Sequence, residues 1–330
     1  MTFQVRVEKR PNTFGLDDRV WALDDGQGSF VEIAPTIGFN AYRWHVPQGE
    51  LLYADPKFFQ EHKPTRSGFP ILFPFPNRIR DGRFLWDGKE YKLPTNDPSG
   101  KNAIHGFVCQ RPWRVVAQGA DAQAAWVTGE FVGSKDAPQT LDLWPADYRI
   151  AVTHRLERNK LEVRAEVSNP GKIDLPWGLG YHPYFALSLF GGPEAKVTIS
   201  ANKCWELLDN LPTGRQYPMR ESCDLRNGQR YAALHLDDVF TNLERPSDVN
   251  ATALTGMVGL DNHRLEMHTS DIFREIVGFT PPHRQAICLE PYTCTTDAIN
   301  LEQQGVDAGW HVLKPGMSAT GLVKLVYQTP

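Results

Sequence analysis

Proline and glycine punctuate this chain so regularly that few windows remain in which a helix of ordinary length could form. The sequence of 330 residues contains 27 glycines and 25 prolines, and they are spread along its whole length. Proline lacks the amide hydrogen that a helix interior needs, and glycine weakens a helix because it is conformationally free. This distribution favours many short strands joined by turns.

Alternating side chains identify the clearest pair of strands, at residues 148–167. On both sides of a turn at residues 157–160, every second side chain is apolar or is His154, and the residues between them are polar or small. This period of two is typical of a half-buried antiparallel hairpin. Residues 82–93 predict a second hairpin, in which Asp87-Gly88 supplies the positive φ angles of a tight primed turn.

Further strand candidates continue evenly from one end of the sequence to the other. They lie at residues 20–23, 30–33, 39–46, 113–117, 196–200, 264–268, 286–290 and 319–327. Helical signal is sparse, with one short helix expected at residues 57–62 behind Asp55 and Pro56. With no linker or repeat to divide it, the chain is expected to form one domain over residues 1–330, an all-β, large antiparallel β-sandwich with few short helices.

Charge and hydropathy exclude several classes of function. The sequence has 35 Lys and Arg against 39 Asp and Glu, a net charge of -4, so a basic nucleic-acid surface is not expected. No apolar run approaches the roughly 20 residues that span a bilayer, so no membrane helix is expected either. The first ten residues resemble neither a secretory signal nor a transit peptide, and we therefore expect a cytoplasmic protein.

The cysteines and histidines give no sign of a metal or a cofactor. Five cysteines, an odd number with no Cys-x-x-Cys pair, predict free thiols. His263 and His268 lie five apart on a probable strand and would face opposite ways, which argues against a metal pair. No P-loop, EF-hand loop, His-Glu-x-x-His or Gly-x-Ser-x-Gly sequence is present. We expect neither a metal nor a cofactor.

Two segments in the first third of the chain hold polar groups beside proline or glycine. In residues 68–79, three alternating prolines fix φ and hold Asn77 and Arg78 at the end of a stiff strand-like segment. The planar donor fork of Arg78 suits vicinal hydroxyls or a carboxylate, although an ordinary salt bridge is the alternative. In residues 103–107, His105 stands between Ile104 and Gly106, where a histidine is more often structural than catalytic.

Three later segments place acid-base groups in β-type surroundings. Residues 175–185 set His182 among aromatic side chains, on which sugar rings can stack their C–H faces. In residues 236–242, Asp237 and Asp238 are adjacent, so only one of them can face a cleft if the segment is a strand. Residues 286–293 predict an apolar strand that ends at Glu290, where burial would raise the carboxyl pKa and suit a general base. A solvent-exposed glutamate at a strand end is the alternative.

Taken together and in this order, the five segments resemble the aldose 1-epimerase (galactose mutarotase) family. The phrases that carry the resemblance are Pro74-Phe-Pro-Asn-Arg-Ile79, Ala103-Ile-His-Gly106, Gly180-Tyr-His-Pro-Tyr-Phe185, Leu236-Asp-Asp-Val-Phe240 and Leu289-Glu-Pro291. The resemblance implies a galactose mutarotase-like supersandwich with an open sugar cleft on one sheet face. It also implies an isomerase of carbohydrate metabolism that interconverts the α and β anomers of a free hexose such as galactose or glucose.

The resemblance assigns a role to each matching side chain. His182 would be the general acid that protonates the ring oxygen, and Glu290 the general base that removes the C1 hydroxyl proton. Arg78, His105, Asp237 and Asn77 would bind the substrate, with His105 sharing the acid role as an open alternative. It is equally open whether Asp238, rather than Asp237, faces the site. A sugar is the expected partner, and the protein would be a monomer or a homodimer.

Departures from the best-known galactose mutarotases leave the substrate open. Their acid histidine usually stands in an Asn-His-Ser/Thr-Tyr-Phe setting, whereas here Pro183 follows His182, and their Leu-His-Gly-Gly is Ile104-His-Gly-Phe107 here. A hexose-6-phosphate 1-epimerase is therefore an alternative, favoured by additional cations near the first motif that could recognise phosphate. Those cations are Lys63, Arg66, Arg80 and Arg83.

Two more hypotheses come from different classes of protein. A non-catalytic carbohydrate-binding protein could retain the sandwich and the aromatic cleft, but the presence of both His182 and Glu290 argues against lost catalysis. A glycoside hydrolase needs two carboxylates flanking the bond, for which Asp237 and Glu290 would have to serve. Two candidate histidines and no obvious second acid make the hydrolase a poor fit.

Overall fold

The computed structural model describes residues 2–11, 17–245, 252–261 and 263–329, and strands dominate this part of the chain. The first strands are β1 (Gln4–Pro11), β2 (Asp17–Asp24), β3 (Phe30–Ala34), β4 (Asn40–Val46), β5 (Gly49–Glu50), β6 (Ile71–Leu72), β7 (Arg78–Ile79), β8 (Arg83–Trp86), β9 (Lys89–Lys92) and β10 (Ala103–Ile104). The middle strands are β11 (Arg114–Ala120), β12 (Ala125–Val132), β13 (Arg149–Glu157), β14 (Lys160–Ser168), β15 (Leu175–Trp177), β16 (Gly180–Tyr181), β17 (Tyr184–Ala186), β18 (Lys196–Ile199) and β19 (Ala201–Leu208). The last are β20 (Leu211–Pro218), β21 (Gln229–Arg230), β22 (Asp237–Leu243), β23 (Ala253–Leu260), β24 (His263–Thr269), β25 (Glu275–Phe279), β26 (Ala286–Tyr292), β27 (His311–Leu313) and β28 (Ser318–Gln328).

The α-helices of the described residues are all short. They are α1 (Phe58–Glu61), α2 (Gly133–Asp136) and α3 (Ala298–Gln303). The first lies within the segment where the sequence predicts a helix, and Asp55 accepts a hydrogen bond from the Lys57 amide just before it. In the part of the chain that the structure describes, no helix is long and apolar enough to cross a membrane.

Two large antiparallel sheets form the body of the sandwich, as the strand pattern predicts. One has nine strands in the order β11-β12-β13-β14-β28-β24-β23-β18-β21, and the other has the order β20-β19-β22-β25-β26-β16-β6, with β17 also pairing with β26. A five-stranded antiparallel sheet, β1 to β5, is formed by the N-terminal residues. Its loop residue Phe39 stacks against Trp113, with 5.6 Å between the ring centroids, and so connects this sheet to the nine-stranded one.

Both predicted hairpins are confirmed. Strands β13 and β14 pair from Arg149↔Ser168 to Glu157↔Lys160, and their apolar faces are buried. Strands β8 and β9 pair around Asp87-Gly88, where both residues have the positive φ that the primed turn requires.

Strand β26 explains why the core and the candidate site lie on opposite faces of one sheet. Successive side chains of a strand point to opposite faces. Leu289 therefore enters the core between the two large sheets, where a side chain at Gly256 of β23 would meet it. Glu290 and Tyr292 alternate with Leu289 along the strand, so their side chains point away from this core. They lie on the outer face of the sheet that contains β26, which has eight strands when β17 is included.

One detail of this strand differs from the prediction. The sequence favours a strand that ends at Glu290, because Pro291 cannot donate a ladder hydrogen bond. In the structure the strand continues to Tyr292, and Pro291 lies opposite Ile276 in the register. Glu290 is thus a fully enclosed side chain within a strand and not a carboxylate at a strand end.

Candidate active site

His182 and Glu290 form the centre of the candidate site. The Nε2 atom of His182 lies 3.5 Å from Oε1 of Glu290, and the two residues are 7% and 2% exposed. Strands β16 and β17, on either side of His182, both pair with β26, through Gly180↔Tyr292 and Tyr184↔Cys288. This pairing brings His182 opposite Glu290, although the two residues are far apart in the sequence.

Two tyrosines that the sequence analysis did not single out hold this pair in place. The Tyr184 ring stacks on the His182 imidazole with centroids 4.7 Å apart and planes at 3°, and its hydroxyl donates to the Thr65 carbonyl. The Tyr292 hydroxyl donates a hydrogen bond to Oε2 of Glu290. Each tyrosine lies two residues after its partner, and this spacing in a strand is the sequence signal that could have identified them.

Burial controls the protonation of the central pair. It lowers the pKa of His182 to about 3, because the imidazolium form loses its hydration. For the same reason it raises the pKa of Glu290 well above its ordinary value, while the hydrogen bond from Tyr292 opposes that shift and the charge of Asp237 adds to it. The protein therefore favours the neutral form of both groups.

Arg78 is held by a carboxylate on one side and by an amide on the other. Its Nε donates to Oδ2 of Asp97 at 3.2 Å, and its Nη1 donates to Oδ1 of Asn77 at 3.1 Å. Asp97 is itself buried, and hydrogen bonds from Asn102, Ser99 and Arg78 outweigh that burial and lower its pKa. The guanidinium is therefore fixed in direction, and the side-chain oxygen of Asn77 is occupied by Arg78.

His105 lies beside His182 rather than beside Glu290. The two imidazole rings meet edge to face, with 5.6 Å between their centroids. Short strands β7 and β10 pair with each other, and the His105 amide donates to the Asn77 carbonyl at 2.9 Å, so His105 is attached to the segment that carries Arg78. Burial, with the neighbouring His182 and Arg78, lowers the pKa of His105 well below its ordinary value.

Asp237, and not Asp238, is the acidic residue on the Glu290 side of the sheet. The charge of Asp237 acts on Glu290 and is itself attracted by Arg78, whereas Asp238 interacts with Arg220 and Cys204 on the other side. Partial burial raises the pKa of Asp237, although its side chain still reaches solvent. The structure thus brings together all six residues that the sequence analysis selected, with Asn77 and Asp237 at the edge of the group.

An aromatic side chain from the next strand completes the surroundings of His182. Phe279, opposite Asp237 in the register of β22 and β25, lies with its ring centroid 6.1 Å from that of His182 and at 87° to it. Phe279 is only partly buried, so one part of its ring is open to a ligand. Such a surface can accept the C–H face of a sugar.

The cations that favoured a phosphorylated substrate all have carboxylate partners. Lys63 and Arg66 lie 2.9 and 3.6 Å from Oε2 of Glu61. Arg80 pairs with Asp297 at 3.4 Å, and Arg83 pairs with Glu90 at 3.3 Å. Because each of these cations already contacts a carboxylate, with Glu61 shared by Lys63 and Arg66, this observation weakens the argument for a phosphate site at these residues.

Comparison with known proteins identifies the family of this chain. The family model for aldose 1-epimerase matches residues 19–325. The chain belongs to the aldose 1-epimerase family. It is therefore an isomerase, and the resemblance seen in the sequence motifs is confirmed.

Among curated relatives, similarity extends over part of each chain. The uncharacterized protein YihR of Escherichia coli K12 is 25% identical over 243 residues, which cover 72% of each chain. The galactose mutarotase of Sus scrofa is 34% identical over 162 residues, which cover 46% of this chain and 42% of the relative. The match thus spans less than half the length of that mutarotase.

Solved structures of the same fold match nearly end to end. A galactose mutarotase-like protein from Clostridium acetobutylicum has a TM-score of 0.86 and 25% identity, with 99% of each chain covered. The galactose 1-epimerase from Lactobacillus acidophilus has a TM-score of 0.79 at 17% identity, with 99% of each chain covered. These matches confirm the predicted fold class, the galactose mutarotase-like antiparallel sandwich.

Proposed function

We propose that this protein interconverts the α and β anomers of a free hexose, such as galactose or glucose, by opening and closing the sugar ring. The observation that carries the proposal is the buried pair of His182 and Glu290, with 3.5 Å between Nε2 and Oε1. Anomer exchange needs one group that donates a proton to the ring oxygen and one that accepts a proton from the C1 hydroxyl. A neighbouring acid and base that share one cleft supply both.

The electrostatics of the pair suit a reaction that must run in both directions. Because burial disfavours charge on either group, the pair holds one transferable proton, on the Glu290 carboxyl or, as its proton-shifted form, on the His182 imidazole. Starting from the proton-shifted form, ring opening moves a proton from the C1 hydroxyl to the Glu290 carboxylate and one from the His182 imidazolium to the ring oxygen. Rotation about C1–C2 and closure on the other face reverse these transfers, so the pair returns to its starting state.

The surrounding residues have the chemistry to hold the sugar during this exchange. The remaining donors of Arg78 and the imidazole of His105 can bind the ring oxygen and neighbouring hydroxyls, while Asp237 can accept a hydrogen bond from a hydroxyl. Asn77 would act through Arg78, whose Nη1 it holds. The open part of the Phe279 ring would contact the apolar face of the sugar.

The proposal is tested by polarimetry on freshly dissolved α-D-galactose and α-D-glucose at neutral pH, with the purified protein and with Glu290→Gln. The protein should accelerate the change in rotation, and the variant should lose a factor of about 10²–10⁴ in rate. Glu266→Gln is the matched control, because Glu266 lies 3.1 Å from His268 in another Glu–His pair on strand β24 of the other sheet.

Three results would contradict the proposal. One is normal activity in Glu290→Gln, and another is an equal loss of activity in Glu266→Gln. The third is acceleration confined to glucose 6-phosphate, which would favour the phosphorylated substrate in spite of the paired cations.

A further inference from the structure

A third potential ligand atom lies beside the central acid and base. His182, Cys288 and Glu290 each contribute one atom to a group in which all three atoms lie within 4.8 Å of one another, and all three residues are buried. Cys288 and Glu290 are two residues apart on β26 and so share its outer face. Tyr184, two residues after His182, pairs with Cys288 across the strands and brings the imidazole to the same place.

The donor set is one that zinc uses in proteins. Thiolate sulfur, imidazole nitrogen and carboxylate oxygen are its usual ligands, whereas magnesium and calcium take oxygen donors. Zinc bonds of about 2.0–2.3 Å in a tetrahedral arrangement separate neighbouring ligand atoms by about 3.3–3.6 Å. The His182 Nε2 to Glu290 Oε1 distance of 3.5 Å already has this value. The sulfur of Cys288 lies within 4.8 Å of the other two atoms, so a movement of about 1 Å would let it bind the same ion as the third ligand.

We infer that His182, Cys288 and Glu290 bind Zn²⁺ and that the bound ion excludes the sugar. The thiol proton of Cys288, together with any proton on Glu290, leaves to solvent as the sulfur and the carboxylate bind the metal. Three protein ligands leave the fourth position of the ion for water. Because the ion occupies the general acid and the general base at once, the site is inhibitory and not a cofactor site.

The spacing of these ligands explains why no sequence motif predicts the site. Cys288 and Glu290 are close in the chain, but His182 comes from a distant segment that reaches them only through pairing of β16 and β17 with β26. Short, repeated ligand spacings are the sequence signal of a zinc site, and these three residues have none. Zinc binding does not depend on the proposed reaction, whereas its inhibitory effect does.

Cobalt binding tests the site without reference to activity. Co²⁺ has the same ligand preferences, and a thiolate bound to it gives an intense near-ultraviolet charge-transfer band that imidazole and carboxylate ligands do not give. The intact protein titrated with cobalt chloride should develop this band and lose it when zinc chloride is added. Cys288→Ser should lack the band, while Cys294→Ser, which changes another fully buried cysteine nearby on the chain, should retain it.

A second variant keeps the test decisive if Cys288→Ser does not fold by circular dichroism. Glu290→Gln retains the thiol, so it should still give the band but with cobalt affinity at least about 10–100-fold weaker, since even outer-shell changes cost that much. The absence of a band at millimolar cobalt, its persistence in folded Cys288→Ser, or unchanged affinity in Glu290→Gln would each overturn the inference.

Inhibition is measured separately. Zinc should slow anomer exchange competitively with the sugar, and magnesium and calcium at equal concentration should not. A protein that gives the cobalt band but shows no anomer exchange would retain the metal site and contradict the proposed function. A protein that exchanges anomers normally in saturating zinc would overturn the inhibitory role.

Discussion

The hydroxyl of Tyr292 donates a hydrogen bond to Oε2 of Glu290, two residues earlier on strand β26. This bond stabilises the carboxylate and so lowers the pKa of Glu290 against the larger, opposite effect of burial. Tyr292 thereby keeps the proposed base closer to the pH range in which it can accept a proton.

Replacing Tyr292 by phenylalanine should move the acid limb of the kcat/KM profile to higher pH. Removal of a hydrogen bond to a charged group, worth about 1.5 kcal/mol, raises the pKa of Glu290 by about one unit. Activity of Tyr292→Phe should therefore fall about tenfold on the acid limb and recover as the pH is raised. The profile is measured by polarimetry across the pH range.

Tyr181→Phe provides the control for this experiment. The Tyr181 hydroxyl is buried and has no hydrogen-bond partner, and its ring packs against Phe69 and Phe273 in the core. Removal of the Tyr181 hydroxyl should leave the pH profile of kcat/KM unchanged. If Tyr292→Phe lost activity equally at every pH, Tyr292 would have a structural role and not the proposed electrostatic one.

Substitution of the two histidines should separate their roles. His182→Asn removes the ring that lies 3.5 Å from Glu290, so kcat should fall by about 10²–10⁴. His105 contacts the His182 ring rather than Glu290, so His105→Asn should mainly raise KM, with less than about a tenfold loss in kcat. Steady-state kinetics on both variants, with His268→Asn as control, measure the difference. Equal losses of kcat would indicate that the two histidines share the acid role.

Much of the fold could be predicted from local sequence patterns. The alternation in β13 and β14 and the Asp87-Gly88 turn depend only on neighbouring residues, so the sequence specifies them. The pairing of β14 with β28, from Lys160↔Val326 onward, depends on contacts between distant segments that no local pattern records. The order of the strands in each sheet could not be predicted for that reason.

The candidate site was also predictable where local sequence decides and not where contacts between distant segments decide. His182 and Glu290 could be selected because each stands in a distinctive local phrase, and Asp237 could be separated from Asp238 only once β22 was placed beside β25 and β26. The supporting role of Asp97 had no local signal, since it lies in a loop and reaches Arg78 only in three dimensions. A single domain over residues 1–330 and a cytoplasmic location stay predictions.

Asp97 should increase substrate affinity, because it orients Arg78. Asp97→Asn weakens the ion pair that orients Arg78 but leaves the guanidinium present, so KM should rise by about tenfold with a smaller change in kcat. Arg78→Lys should raise KM by a similar factor, because lysine lacks the planar fork that holds both Asp97 and the sugar. The double variant should be little worse than either single variant if the two act as one unit. Additive effects in the kinetics would show that they act independently.

Glu275 should make the stability of the protein fall as the pH rises. It is fully buried on β25, where Trp205 donates to its Oε2 at 3.2 Å, and burial raises its pKa to about 8 from an ordinary value of 4.5. The folded state therefore holds the proton more tightly than the unfolded state. Below the ordinary pKa both states are protonated, and no penalty exists. Between that value and about pH 8 the free energy of unfolding decreases, by up to about 5 kcal/mol in all.

Glu275→Gln removes this titration while keeping an oxygen that can accept from Trp205. The variant should resemble the native protein in urea unfolding near about pH 5 and should be the more stable of the two near about pH 9. Glu266→Gln changes a glutamate that already pairs with Arg264 and His268, so it should not produce this gain at high pH. If Glu275→Gln were less stable than the native protein at both values, the carboxylate of Glu275 would contribute a specific stabilising contact that outweighs its burial.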